Sequence, residues 1–328
     1  MILMDKKFSH LRGFERTEEE KKEALRENKA LLLILYLDTK CNMNCSFCFL
    51  DSGRSAKNRI SLRDYKRVIR QAKALGVKSA VFAGAGEPLL DNKLFPLMEY
   101  SNKLGLYCVL ITNASLVTEK IAKRMYGMDL SVIASIKSLN PKSLEKLTRV
   151  KGSAERIYEG FNNLLSAGFN KSEPTRLGVN VLVCKEIYGE VPDLVRFCVK
   201  NNIFVMLESL LWKGRAAENL KQLEISDRKK EALYNKLLEE FPRLGKERSF
   251  LDAPKCDIDH YGIFVNYNGD VWPCFSRDFV MGNVKKESLG EIWNKPKLRA
   301  FRERPVVDCG ICPGRKYYRG FCLRSKAK

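Results

Sequence analysis

Histidine is almost missing from this chain: among 328 residues only His10 and His260 occur. Catalysis built on an imidazole base is therefore disfavoured, because no other side chain titrates near neutrality without help. Long apolar runs are missing as well. The longest, Leu31 to Leu37, has the length of a strand and falls far short of the roughly 18 residues of a membrane span, so no membrane partner is expected. The amino-terminal residues turn charged by Asp5, leaving no apolar core or cleavage site for a secretory signal, and a cytoplasmic location is expected. Neither an internal repeat nor a low-complexity tract is present. Acidic residues are in the minority, 39 against 59 Lys and Arg, for a net charge of +20. Between Lys285 and Lys328 the imbalance is 13 to 4. A field of that sign favours an anionic partner, whether nucleic acid, a phosphorylated substrate or an acidic electron-transfer protein.

What is present is cysteine, eleven in all. In a reducing compartment these are not a disulfide framework, and their spacing sorts most of them into two metal-type groups. Cys41, Cys45 and Cys48 form the first; Cys256, Cys274, Cys309, Cys312 and Cys322 form the second. Cys108, Cys184 and Cys198 lie singly in apolar runs, as buried core thiols do. Three thiolates are one short of closing a zinc site or a protein-held iron–sulfur cluster. The first group either borrows a remote ligand or leaves one metal position open.

Apolar, β-rich segments at Leu31–Thr39, Ser79–Gly84, Leu106–Asn113, Leu130–Ile136, Leu177–Cys184 and Ile203–Leu211 alternate with helical patterns at Leu62–Leu75, Leu94–Leu104, Thr118–Met125, Pro141–Ala167 and Val191–Lys200. Gly76, Gly105 and Gly168 close three of those helices, where a left-handed cap is common. This α/β alternation predicts a parallel sheet with right-handed crossovers, either an open doubly wound sheet or a barrel of fewer than eight units. In both, chemistry gathers at the carboxyl ends of the strands. There lie the first cysteine group, "GAGEP" (Gly84 to Pro88), "TNAS" (Thr112 to Ser115), and Ser135 with Lys137. Beyond a polar connector at Lys213–Leu223, a helix is expected over Ser226–Phe241, a hairpin around Asn268-Gly269, and a short helix at Leu289–Trp293.

The spacing Cys41-x3-Cys45-x2-Cys48, with Phe47 before the third cysteine, resembles the signature of the radical S-adenosylmethionine (SAM) superfamily. The resemblance implies a [4Fe–4S] cluster whose open iron is chelated by SAM, and a 5′-deoxyadenosyl radical that removes hydrogen from a substrate. Gly84, Gly86 and Glu87 resemble the element that meets the SAM amino group, with Ala85 in place of a family glycine. Asn113 resembles part of the strand-three element, Ser135 the strand-four serine near the ribose or carboxylate, and Arg149 an arginine that reaches the SAM carboxylate. At the strand-four end, Lys137-Ser138 replaces the family's usual Asp-Gly. The match spans about residues 31 to 212 and implies a partial (β/α)6 TIM-like barrel.

Cys256-x17-Cys274, followed by Cys309-x2-Cys312, is similar to the auxiliary-cluster extensions called SPASM and twitch. Five candidates cannot close two four-thiolate clusters, so one auxiliary [4Fe–4S] cluster on Cys256, Cys274, Cys309 and Cys312 is expected, with Cys322 as an exchangeable ligand or a free thiol. A zinc ribbon is the plain alternative. The expected domains are a charged helical leader (1–30), the barrel (31–212), a helical linker (213–253) and a small hairpin-and-helix iron–sulfur extension (254–328).

Glu208, a carboxylate in an apolar strand, is a candidate base or substrate contact, and Lys137 is weighed beside it. Cys184 ends strand five where a thiol could return a hydrogen atom to a substrate. The expected reaction is oxidation, crosslinking or epimerisation of a peptide or small polar substrate, with an acidic flavodoxin or ferredoxin as electron donor. Alternatives are a sugar or cyclitol dehydrogenase or epimerase, an RNA-modifying enzyme, or a metal-stabilised nucleic-acid-binding protein without catalysis. Basic and aromatic residues alternate in the tail "GRKYYRGFC", as in single-strand binders.

Overall fold

The computed structural model describes residues 9–211, 213–241, 255–256, 258–274, 280–303 and 307–308. After helix α1 (Glu18–Arg26), six strands alternate with helices: β1 (Leu32–Tyr36), α2 (Leu62–Ala74), β2 (Ser79–Ala83), α3 (Leu94–Lys103), β3 (Tyr107–Thr112), α4 (Glu119–Gly127), β4 (Ser131–Ala134), α5 (Pro141–Thr148), α6 (Ser153–Ser166), β5 (Leu177–Val183), α7 (Val191–Lys200) and β6 (Phe204–Ser209). These strands pair in order and in parallel, giving the partial (β/α)6 arrangement. Short strands β7 (Lys255–Cys256), β8 (Gly262–Val265), β9 (Asp270–Trp272), β10 (Gly282–Asn283) and β11 (Val307–Asp308) follow. Among the described residues no helix is long and apolar enough to cross a membrane.

Strand periodicity divides the apolar residues between two sides of the sheet. Leu33 and Leu35 of β1 pack outward against Val68, Ile69 and Ala72 of α2. Leu32, Ile34 and Tyr36 face inward, with Val81, Val109, Ile133, Phe204 and Met206 from the other strands. The inner floor is closed by the segment before α1. Leu11 bridges to Thr175, and Phe14 meets Phe204 edge-on at 6.1 Å between centroids. The leader is thus more than a charged helix.

Three features differ from the sequence expectation or add detail to it. The pattern at Pro141–Ala167 is not one helix. Arg149 adopts φ 55° as the cap of α5 and Gly152 φ 70° as the start of α6, and left-handed residues end a right-handed helix. The connector Lys213–Leu223 contains two short helices, Gly214–Glu218 and Leu220–Leu223. The hairpin does not stand apart from the barrel either: β8 pairs in parallel with β1, Leu32 opposite Gly262 and Leu35 opposite Val265. One nine-stranded sheet results, ordered β10-β9-β8-β1-β2-β3-β4-β5-β6. At the hairpin tip Gly269, with φ +92°, donates its N–H to Asn266 O at 2.9 Å.

Close backbone packing at one glycine yields a stability test. A Cβ on Gly160 of α6 would sit 1.9 Å from the Ala114 carbonyl in the loop after β3. Gly160→Ala should cost about 2 kcal/mol through overpacking, lowering Tm by several degrees. Gly127→Ala, at the end of α4 with nothing within 4 Å, should instead be neutral or gain about 0.5 kcal/mol from helix propensity. Thermal melts of the two variants check this; a harmless Gly160→Ala would contradict the packing.

Candidate active site

The first cysteine group occupies a loop that leaves β1 and is tied shut at its neck. Cys41 N donates to Gly53 O at 3.0 Å and Gly53 N to Thr39 O at 2.8 Å. From the β4 side, Asn44 N and Ser46 N donate to Thr148 O and Leu147 O at the end of α5, at 3.0 and 2.8 Å. The residues after β6 hold the loop from the other side. Arg215 donates Nε to Cys45 O at 3.1 Å and Nη1 to Ser52 O at 2.7 Å and to the Asp51 carboxylate at 3.0 Å. Ala216 N reaches Cys48 O at 3.2 Å, and Asn219 Nδ2 reaches Ser46 O at 3.3 Å.

The three thiols are at least half-buried. Burial, then the neighbouring Cys41 and Cys48, pushes Cys45 up to about 12; burial also raises Cys41. Thiols so placed become thiolates when a cation joins them. Two N–H groups already point at sulfur, Met43 N toward Cys41 Sγ at 3.5 Å and Ser52 N toward Cys48 Sγ at 3.4 Å. This donor set fits an iron–sulfur cluster. Among the described residues no three His, Cys, Asp or Glu side chains converge on the point that a single metal ion would occupy.

The "GAGEP" turn after β2 abuts the neck of that loop. A Cβ on Gly86 would lie 2.0 Å from Lys40 O, so only glycine permits the approach, and Glu87 N donates to the same carbonyl at 2.8 Å. A Cβ on Gly84 would meet Gly86 O at 1.7 Å. The buried Glu87 carboxylate accepts from Thr112 Oγ1 at 2.6 Å, Asn113 N at 2.8 Å and Leu89 N at 3.1 Å. Burial raises its pKa while those donors oppose the rise. Asn113 continues the chain of contacts, its Nδ2 donating to Asn42 Oδ1 at 2.9 Å, while Asn42 Nδ2 donates to Ser115 Oγ at 2.8 Å. Ser135 N, beyond β4, donates to Thr112 O at 2.8 Å. Gly84, Gly86, Glu87, Asn113 and Ser135 are therefore joined to the cysteine loop by one network.

On the β4–β6 side, alternation places Ser131, Ile133, Ser135 and Lys137 on the inner face, with Asn180 of β5 and Glu208 of β6. Lys137 is buried, donates to Asn180 O at 3.2 Å and to Asn180 Oδ1, and lies 5.4 Å from the centroid of the Phe47 ring. Burial lowers its pKa, while Glu208, Cys45 and Cys184 draw it back up. Cys184 is fully buried just past β5, and burial holds its thiol at about 11. Phe47 packs on the cluster of Leu147, Leu182, Cys184 and Ala216. Arg149 is exposed, and its guanidinium donates to Asn219.

Of the second cysteine group, Cys274 is buried after β9. Tyr36, at the carboxyl end of β1, stands 6.2 Å edge-on from Trp272, and burial, then the proximity of Cys274 and Glu208, raises its pKa. Cys256 lies in β7, opposite Val307 of β11. Cys309, Cys312 and Cys322 lie outside the described residues. Sequence reasoning passed over Arg215, Asn219, Asn42, Asn180 and Tyr36. Asn180 and Tyr36 could have been found by extending the inward alternation; Arg215 sits in a segment with no periodicity to read.

Residues 36–198 match the model of the radical SAM superfamily, and residues 256–313 match SPASM, an iron-sulfur cluster-binding domain. The second match includes Cys256, Cys274, Cys309 and Cys312 and ends before Cys322. The chain is 22% identical to the tungsten-containing aldehyde ferredoxin oxidoreductase cofactor-modifying protein of Pyrococcus furiosus, over 82% of each protein. It is also 22% identical to the mycofactocin maturase MftC of Mycobacterium ulcerans, over 87% of this chain and 81% of that one. Streptococcus suis SuiB with S-adenosylmethionine shares the fold at a TM-score of 0.66 and 19% identity, over 87% of this chain and 71% of SuiB. With the precursor peptide SuiA bound, SuiB gives 0.64 at 20% identity, over 87% and 70%.

Arg215 is expected to govern how well the loop takes up metal. Arg215→Ala removes charge-assisted hydrogen bonds worth about 1.5–3 kcal/mol each. Iron and sulfide bound after anaerobic reconstitution should fall severalfold while far-UV circular dichroism stays unchanged. Undiminished iron would show that the clamp is dispensable.

Proposed function

We propose, from the premise that the chain belongs to the radical SAM superfamily and carries a SPASM-type iron–sulfur extension, that it modifies a peptide by removing hydrogen from an unactivated C–H bond. The observation that carries the site is the joining of the cysteine loop, the "GAGEP" turn and the strand-three loop through Lys40, Glu87 and Asn42. In this reading Cys41, Cys45 and Cys48 would hold a [4Fe–4S] cluster as three thiolates, one ligand short of closing it, and SAM would be the remaining ligand. When bound, cluster and SAM supply one-electron cleavage of a carbon–sulfur bond and the hydrogen-atom abstraction that follows.

The chain's own residues orient and protect. Gly84 and Gly86 bring exposed backbone close to the SAM ammonium, and Glu87, fixed by three donors, turns its one remaining lone pair, on Oε2, towards it. Asn113 and Ser135 contact the ribose or carboxylate. Phe47 shields the cluster from water. Arg149 serves the SAM carboxylate only after leaving Asn219. Glu208, on the inner face, accepts the proton lost when the substrate is oxidised, and Cys184 is the thiol that would return a hydrogen atom in an epimerisation. Cys256, Cys274, Cys309 and Cys312 hold one auxiliary cluster, with Cys322 able to replace a member of the last pair. Held there, such a cluster would supply an acceptor for the second electron of an oxidation.

A peptide substrate is supported by the maturase relative and by the likeness to SuiB, which binds a precursor peptide. A second reading, a small polar substrate, is supported by the cofactor-modifying relative. The basic surface suits an acidic flavodoxin or ferredoxin as donor.

Anaerobic reconstitution should give about eight iron and eight sulfide per chain, two clusters of four. With SAM and dithionite, 5′-deoxyadenosine should accumulate, and Cys45→Ala should reduce it by at least about a hundredfold, as expected for loss of an essential ligand. Zinc without sulfide, or 5′-deoxyadenosine unaffected by Cys45→Ala, would refute the assignment.

A further inference from the structure

Lys137 is a buried cation inside the barrel whose direct partner is a neutral group. Its residue is 4% exposed. Its ammonium donates to the backbone oxygen and side-chain oxygen of Asn180 and lies against the face of Phe47. Among the described residues no carboxylate stands within ion-pair distance of it; Glu208, on the next strand but one, and the sulfurs of Cys45 and Cys184 act on it only from beyond contact. A buried charge without a counter-ion is costly and persists where a ligand completes it. The register makes the placement specific. Ala134 pairs with Val179, so Asn180 lies level with Ser135, and Lys137 reaches back into the barrel on the β4–β6 side. The network of Glu87, Asn113 and Asn42 lines the β2–β3 side instead.

We infer that Lys137 is the substrate's anion anchor: the molecule acted on carries a carboxylate or phosphate that pairs with its ammonium, beside Glu208. For a peptide this means an acidic side chain or the terminal carboxylate. The inference rests on the reading of the barrel mouth as the reaction site. It adds a substrate class, because Lys137 sets a cation beside Glu208 on this side of the interior.

The test uses the reconstituted, cluster-loaded chain with two small probes, inorganic phosphate and succinate, each compared with sodium chloride at equal ionic strength. Lys137→Gln keeps a donor for Asn180 and removes the charge; Lys137→Met removes both; Lys142→Met, at an exposed lysine, controls for binding at the basic surface. In the wild type and in Lys142→Met, phosphate or succinate should raise Tm above the chloride reference, and in both Lys137 variants that rise should vanish. Without probe Lys137→Gln should be no less stable than wild type, and SAM affinity should stay within about twofold. The inference is overturned if the wild type shows no anion-specific rise, if the rise survives in Lys137→Gln, or if both Lys137 variants are strongly destabilised, which would make the lysine structural. A tenfold loss of SAM affinity in Lys137→Gln also overturns it, by making the SAM carboxylate the partner. Iron and 5′-deoxyadenosine assays on the wild type report separately on the underlying reading.

Discussion

The approach of Gly86 to the Lys40 carbonyl is the contact on which the rest of the site depends. A Cβ there would stand 2.0 Å from Lys40 O, and the adjoining Glu87 N–H caps the same oxygen. Because Lys40 precedes Cys41, this backbone junction fixes where the cysteine loop begins, relative to the carboxylate that faces β3. Glu87 then passes the constraint to Thr112 and Asn113, and Asn113 returns it to the loop through Asn42. Buried carboxylates need such full hydrogen bonding to persist. Every member of the circuit comes from the carboxyl end of a strand, so the parallel sheet supplies the geometry.

Much of this was legible in the sequence because the signals were local. Strand alternation and helix punctuation located β1 to β6 and α7 closely, and the three motifs fell at strand ends where the structure places them. The break between α5 and α6 was missed because Arg149 takes a left-handed cap without being glycine; only Gly152 hinted at it. Joining β8 to β1 is a long-range pairing, and no local pattern encodes such a partner. Arg215 escaped for a related reason. Its role is set by carbonyls at Cys45 and Ser52, and main-chain acceptors leave no trace in residue identity.

The pairing of β8 with β1 also bears on how two metal-type regions are organised. Cys274 follows the hairpin that extends the barrel's own sheet, and Tyr36 stands between that hairpin and the interior. Cys274 and the first cysteine group, distant in sequence, are thereby referred to the same strand. On the β4–β6 side of the inner face, among the described residues, stand a cation and a carboxylate, Lys137 and Glu208, with Asn180 in contact with the lysine. Charges buried in this way have a large influence on what enters, since low dielectric magnifies their fields.

The central claim is that three thiolates leave one iron open for SAM. Electron paramagnetic resonance of the dithionite-reduced protein, in a variant lacking Cys256 and Cys274, isolates the cluster on Cys41, Cys45 and Cys48. A [4Fe–4S] signal whose g-values and line shape change when SAM is added is the predicted result. A signal indifferent to SAM would contradict the account.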